Sequence, residues 1–195
     1  MSEAEKDETG IFITPLWLAK RYMGVCEYPG AEDHPAIQWW LQNAGLGRNQ
    51  QDEIPWCGAF VGNIAWELDL ERPDLPVRAR HWLSVGRGEV PLELARPGFD
   101  IVILMRGGGP PEAQPGPGVL NAPGHVGFFT GLSVEGHVVL LGGNQSDKVT
   151  EATFPRERVL GVRRLRRLRR VADAVPGART RITQTAATQT FYKER

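Results

Sequence analysis

The stretch Ile54-Pro55-Trp56-Cys57-Gly58-Ala59-Phe60-Val61 constrains this chain more than any other. Pro55 suits the first turn of a helix, where a missing N–H costs nothing. Behind it Phe60, Val61, Ile64, Ala65 and Leu68 recur at helical spacing, which predicts a buried helix over 57–68 led by Cys57. A thiol at a helix N-terminus feels the positive end of the macrodipole, which favours the thiolate. Gly58 leaves room for a substrate carbonyl, and the unpaired N–H groups of a first turn can serve as oxyanion donors. The competing reading of Cys57 is a buried structural thiol, a common fate of free cysteine.

Two further stretches bear on that choice. In Pro123-Gly124-His125-Val126-Gly127-Phe128-Phe129-Thr130 a histidine sits in an alternating strand between glycines. His125, Gly127 and Phe129 share one strand face there and Val126 and Phe128 the other. In Leu140-Leu141-Gly142-Gly143-Asn144-Gln145-Ser146-Asp147 a strand ends in two glycines and two amides. Cysteine, histidine and an amide in chain order supply a nucleophile, a base and a group that orients the base. Asn144 is the first candidate for the orienting role, through the imidazole Nδ1–H, and Gln145 the reserve. His81 is a rival base, nearer to Cys57 in sequence but in a short helix expected to serve packing.

With these motifs the chain resembles the papain-like cell-wall hydrolases of the NlpC and CHAP superfamily. Within them it is most similar to a phage-type subgroup that carries proline-tryptophan-cysteine, glycine-histidine-valine-glycine and glycine-glycine-asparagine-glutamine motifs. The resemblance spans residues 14–164. It implies an α+β, papain-like fold with N-terminal helices packed on an antiparallel β-sheet. It also implies Cys57 as nucleophile, His125 as base and Asn144 as orienting residue, and a peptidoglycan substrate cut at an amide bond without metal or organic cofactor. Glu27, Trp56, Gly58 and Gln145 are the expected substrate-side residues, with a loop-capping carboxylate the alternative for Glu27. Two other functions stay open: a non-catalytic wall- or polyanion-binding module, and a papain-like deamidase or transglutaminase-like effector.

Length and charge add bounds. A chain of 195 residues, 41% apolar and 24% charged, suits one soluble domain, expected here as a monomer. No apolar run is long enough to span a bilayer. The first ten residues are acidic, without the apolar segment of a secretory signal. The expectation is therefore cytoplasmic synthesis, with release or delivery needed to reach a cell wall. The only two cysteines, Cys26 and Cys57, make no disulfide framework, and both are expected reduced, with Cys26 buried at the end of the first helix. No cluster has the spacing of zinc ligands. Net charge is zero but unevenly divided: from Arg156 onward there are twelve Lys/Arg against three Asp/Glu. The run Arg163 to Arg170 reads either as a non-specific grip on polyanions or as a solvated arginine face around Val162, Leu165 and Leu168. The expected organisation is an acidic disordered N-terminus over 1–10, a hydrolase domain over 11–165 and a basic tail over 166–195.

Punctuation places the remaining elements. Thr14 and Pro15 open a first helix that Gly24 stops, and Asp33 and Pro35 open a second that Gly45 ends. Asp52 and Glu53 approach the Cys57 helix as partners of its N-terminus, and Asp52 is a lesser candidate for substrate contact. Strands are expected over 99–105, around His125, over 136–141 and over 159–162. The glycine- and proline-dense segment 107–124 reads as a lengthened hairpin loop and a candidate lid.

Overall fold

Helices come first in this chain, and each is opened as its sequence dictates. Residues 13–30, 32–47, 54–86, 88–106 and 110–168 are described by a computed structural model. The acidic N-terminus, Asp52, Glu53 and the arginines from 169 onward lie outside the described residues. In α1 (Pro15–Lys20) the Thr14 hydroxyl accepts the Trp17 N–H at 3.1 Å. The chain leaves this helix through Gly24, which holds a positive φ of 87°. In α2 (Pro35–Asn43) the cap is His34, not Asp33: its Nδ1 accepts the Ala36 N–H at 3.1 Å, while Asp33 accepts from the Gln38 amide at 2.8 Å. Helix α3 (Cys57–Glu67) buries every residue from Cys57 to Ala65, as its near-continuous apolar sequence requires.

Five strands follow: β1 (Asp100–Met105), β2 (Gly124–Leu132), β3 (Val138–Gly142), β4 (Thr150–Phe154) and β5 (Val159–Arg164). They form one antiparallel sheet in the order β4-β3-β2-β1-β5. The architecture is therefore mixed α+β, with helices packed against a five-stranded antiparallel sheet. Alternation sorts the strand residues between two cores. Ile101, Ile103, Val126, Phe128 and Leu141 meet the helices, where Trp40, Trp56 and Phe60 stack at 5.1–5.6 Å from ring to ring. On the opposite face Val102, Leu104, Phe129, Val138, Leu140 and Val162 form a second cluster.

The link between β4 and β5 requires the sheet to curl. These strands are the two edges, yet only residues 155–158 join them, partly as a 3-10 turn. A flat sheet would set its edges about 19 Å apart, four strand spacings, which is about the fully extended reach of such a link. Curling brings Phe154 of β4 over the His125 ring of β2, with centroids 5.3 Å apart. The β4 strand itself, of sequence Thr-Glu-Ala-Thr-Phe, has no counterpart among the sequence expectations.

The basic run proves partly internal. Arg163 donates to the Leu83 carbonyl at 2.9 Å, Arg164 forks onto buried Asp100 at 2.7 Å, and Arg166 holds Glu71 at 2.8–2.9 Å. Past β5 the chain stays attached, with Leu165 buried and the Leu168 N–H donating to the Asp69 carbonyl at 2.7 Å. No helix among the described residues is long and apolar enough to cross a membrane.

Candidate active site

Cys57 is the first residue of α3, and among the described residues no side chain caps this helix end. The N–H groups of its first turn are thus not claimed by a capping side chain. The thiol is buried, and it meets β2 beyond the last β2–β3 pair, Phe128↔Leu141. There the sulfur faces the His125 ring and the Val126 N–H, both of which favour its charged form. Burial pushes the Cys57 thiol up. The charge and hydrogen bond of His125 outweigh that, aided by the Val126 N–H and the Arg106 guanidinium, and the thiol lies below its ordinary value. For buried His125 the signs reverse. Burial pushes the imidazole down, but the Cys57 charge, its hydrogen bond and that of Gln145 leave it above the ordinary histidine value. Both shifts run toward thiolate and imidazolium.

The amide that meets the His125 ring is Gln145, where the sequence pointed first to Asn144. Gln145 Oε1 lies 2.9 Å from His125 Nε2. Its Nε2 donates to the carbonyls of Leu140, at 3.3 Å, and Thr150. Because the amide nitrogen is committed to two carbonyls, the oxygen must face the ring. His125 Nε2 therefore carries a proton, and Nδ1 is the atom left for the sulfur. Asn144 faces elsewhere, its amide donating to Glu27 Oε1 at 3.4 Å. The physical reason is the turn after β3: Asn144 has φ of 56°, and Ser146 and Asp147 have φ of 53° and 57°. That path breaks the strand alternation, and Gln145 is the residue turned inward.

The expected substrate-side residues are placed differently. Trp56 has no exposed surface, and its indole N–H donates to Glu27 Oε1 at 2.8 Å. Glu27 thus ties the residue before Cys57 to the Asn144 turn, and its carboxylate is engaged in support. Gly58 is buried against the backbone of Pro76 and Val77, whose carbonyls a Cβ there would strike. Two glycines matter by close approach. A Cβ on Gly142 would sit 2.8 Å from Gln145 Oε1 and 3.2 Å from His125 Nε2. One on Gly143 would enter the Trp56 ring and lie 2.8 Å from Phe60 Cβ. Cys26 is exposed and free, not buried, because segment 24–27 runs as a short ribbon beside 147–149.

Two clefts flank the pair. One of about 450 Å³ contains Cys57 and is walled by Ile54, Val77, Leu120 and Pro123, with Arg78 and Arg106 supplying charge. The other, of about 230 Å³, contains His125, Gln145 and Phe154, again with Arg106. The wall formed by residues 115–123 is set by fully buried Arg80, which donates to the carbonyls of Pro115, Gly116 and Pro123 at 2.8–2.9 Å. This part of the candidate lid is clamped to the body, and 107–109 lie outside the described residues. Sequence reasoning missed Arg80, Arg106 and Phe154 as site residues. Their only signals were an arginine between Ala79 and His81 in a short helical segment, a cation at a strand end and an unassigned strand. His81 stays in its 3-10 turn (Ala79–Ser84), its Nε2 buried and unpartnered among the described residues. Among the described residues no three His, Cys, Asp or Glu side chains converge as metal ligands.

Comparison with protein-family models finds no match, and comparison with curated proteins finds none either.

Proposed function

We propose that this chain is a thiol hydrolase of amide bonds and that its substrate is peptidoglycan, cut within or at the base of the stem peptide. The observation that carries the chemistry is the buried Cys57 thiol beside His125, at a helix start that no described side chain caps, with Gln145 Oε1 2.9 Å from the ring. The peptidoglycan substrate and the papain-like NlpC/CHAP kinship rest on the three motifs alone.

In this reading the Cys57 thiolate attacks the carbonyl carbon, and N–H groups of the first turn of α3 receive the oxyanion. The C–N bond breaks as His125 Nδ1 delivers its proton to the leaving amine, leaving a thioester. Water then attacks the thioester, passing a proton back to Nδ1, and the carboxylic acid and free Cys57 are released. Gln145 keeps Nε2–H directed away from the sulfur throughout.

The test is incubation of wild type, Cys57→Ala and Cys26→Ala with purified peptidoglycan of several wall types, with mass spectrometry of released fragments. New amine or lactyl-linked ends are expected from wild type and Cys26→Ala and not from Cys57→Ala. Equal loss in both variants rejects the nucleophile. Wall binding without cleavage points to a binding module, and a reactive Cys57 without wall cleavage to another acyl substrate.

A further inference from the structure

We propose that Arg106 selects substrates carrying a free carboxylate on a residue adjoining the scissile amide, an inference that rests on the thiol-hydrolase reading. Arg106 follows β1, whose last residue, Met105, pairs with Gly124 beside His125. It is exposed and lines both clefts, the one that holds Cys57 and the one that holds His125. In the proposed reaction His125 protonates the leaving amine, so the leaving side lies along the His125 cleft and the acyl side along the Cys57 cleft. A group bordering both stands beside the bond that breaks.

Charge decides what it meets there. None of the described residues lining either cleft is acidic, and no described carboxylate pairs with Arg106. The Arg106 charge favours the Cys57 thiolate but opposes the His125 imidazolium. A bound carboxylate cancels the second effect on the proton donor while forming charge-assisted hydrogen bonds to the guanidinium. The remaining walls of the Cys57 cleft are largely apolar, with Arg78 at the rim held by the Asn121 side-chain carbonyl at 3.2 Å, and the His125 cleft adds Asn144, Gln145, Ser146 and a second cation, Arg158. That surface suits an aliphatic stem bearing an acid, and a neutral peptide leaves the cation unpaired.

The experiment has two arms, in a Cys26→Ser background so that Cys57 is the only thiol. The first compares alkylation of Cys57 by anionic iodoacetate and neutral iodoacetamide. Their rate ratio cancels intrinsic thiol reactivity and reports the local cation. Arg106→Ala is expected to lower the ratio about five- to tenfold and Arg106→Lys to keep it within about twofold. The second arm compares cleavage of native peptidoglycan with peptidoglycan whose carboxyl groups have been converted to amides. Wild type is expected to cleave the native wall about tenfold faster, and Arg106→Ala to lose that preference. An alkylation ratio indifferent to Arg106, or a wild type equally active on both walls, overturns the proposal. A ratio that depends on Arg106 with neither wall cleaved supports the carboxylate site and rejects the wall as its substrate.

Discussion

Replacing Gln145 by alanine isolates the part of the site least open to inspection in the sequence. The side chain makes one hydrogen bond to the imidazole at 2.9 Å and two to main-chain carbonyls. In the thiolate–imidazolium state the first is a bond to a charged donor, worth about 1.5–3 kcal/mol. If the bond is fully made when the leaving amine is protonated, its loss lowers kcat/KM between about 10- and 150-fold. The ring also loses the acceptor that raises it, so the pH at which Cys57 becomes alkylatable should move upward. Two carbonyls lose their donor as well, with a stability cost of about 1–3 kcal/mol read from the denaturant midpoint. The companion variant is Asn144→Gly, because glycine accepts the φ of 56° where alanine is strained. Among the described residues the Asn144 side chain bonds only to Glu27, at 3.4 Å, and its loss should cost less than about threefold in rate. An Asn144→Gly variant as crippled as Gln145→Ala, or a Gln145→Ala variant with unchanged kcat/KM and alkylation profile, would refute the assignment of the orienting group.

Two other perturbations follow from the geometry. Gly143→Ala forces Trp56 and the start of α3 away from β3, with an expected loss of about 1–3 kcal/mol in denaturant stability and a larger loss of Cys57 reactivity. Unchanged values of both sink the close-contact argument. The second perturbation is pH. The lowered Cys57 contributes stability above its unfolded value near 8.5, lost as pH falls through the folded one, and the raised His125 contributes below about 6.5, lost as pH rises through its folded value. Between about 6.5 and 8.5 the folded ion pair and the unfolded neutral pair hold the same single proton, so the pair's contribution is flat there and declines on both sides. Denaturant midpoints of wild type minus Cys57→Ala across pH should trace that plateau, and a difference rising steadily through it contradicts an ion pair.

The legible parts of the molecule are those whose signals are local. Pro15, Pro35 and Pro55 each precede or open a helix, Thr14 caps one, and the apolar face behind Cys57 predicts α3 to within a residue. The alternation through His125 separates two β2 faces, but it is Val126 and Phe128 that meet the helices, while Phe129 lies in the opposite cluster. What was hidden depends on pairing at a distance. Strand β4 is an edge strand of weak hydrophobicity, and only its ladder to β3 and the packing of Phe154 on His125 reveal it. Trp56 looked like a substrate contact because its motif adjoins the nucleophile, yet its ring fills the core beside Trp40. The arginine run looked like one basic surface, while Asp100 and Glu71, more than 60 residues upstream, claim two of its members.

The turn over 144–147 joins the fold to the chemistry. Three of its four residues hold left-handed backbone without being glycine, an arrangement with a conformational cost at Ser146 above all, since Asn and Asp tolerate it better. A relaxed continuation of β3 would keep period-two alternation and turn Gln145 to the face opposite Asn144 with nothing to hold its amide. The left-handed path instead folds Gln145 back so that the middle of its own strand, Leu140, and the start of β4, Thr150, both receive its N–H groups. The cost is offset from outside the turn. Gln145 N–H reaches the Lys148 carbonyl at 3.0 Å, Glu27 N–H the Asp147 carbonyl at 2.9 Å, and Val149 N–H the Val25 carbonyl at 2.7 Å. Glu27 then closes the circuit by accepting from both Trp56 and Asn144. The segment after the first helix, far from Cys57 in sequence, therefore locks the amide that meets the imidazole, and the same carboxylate anchors Trp56, the residue before the Cys57 helix.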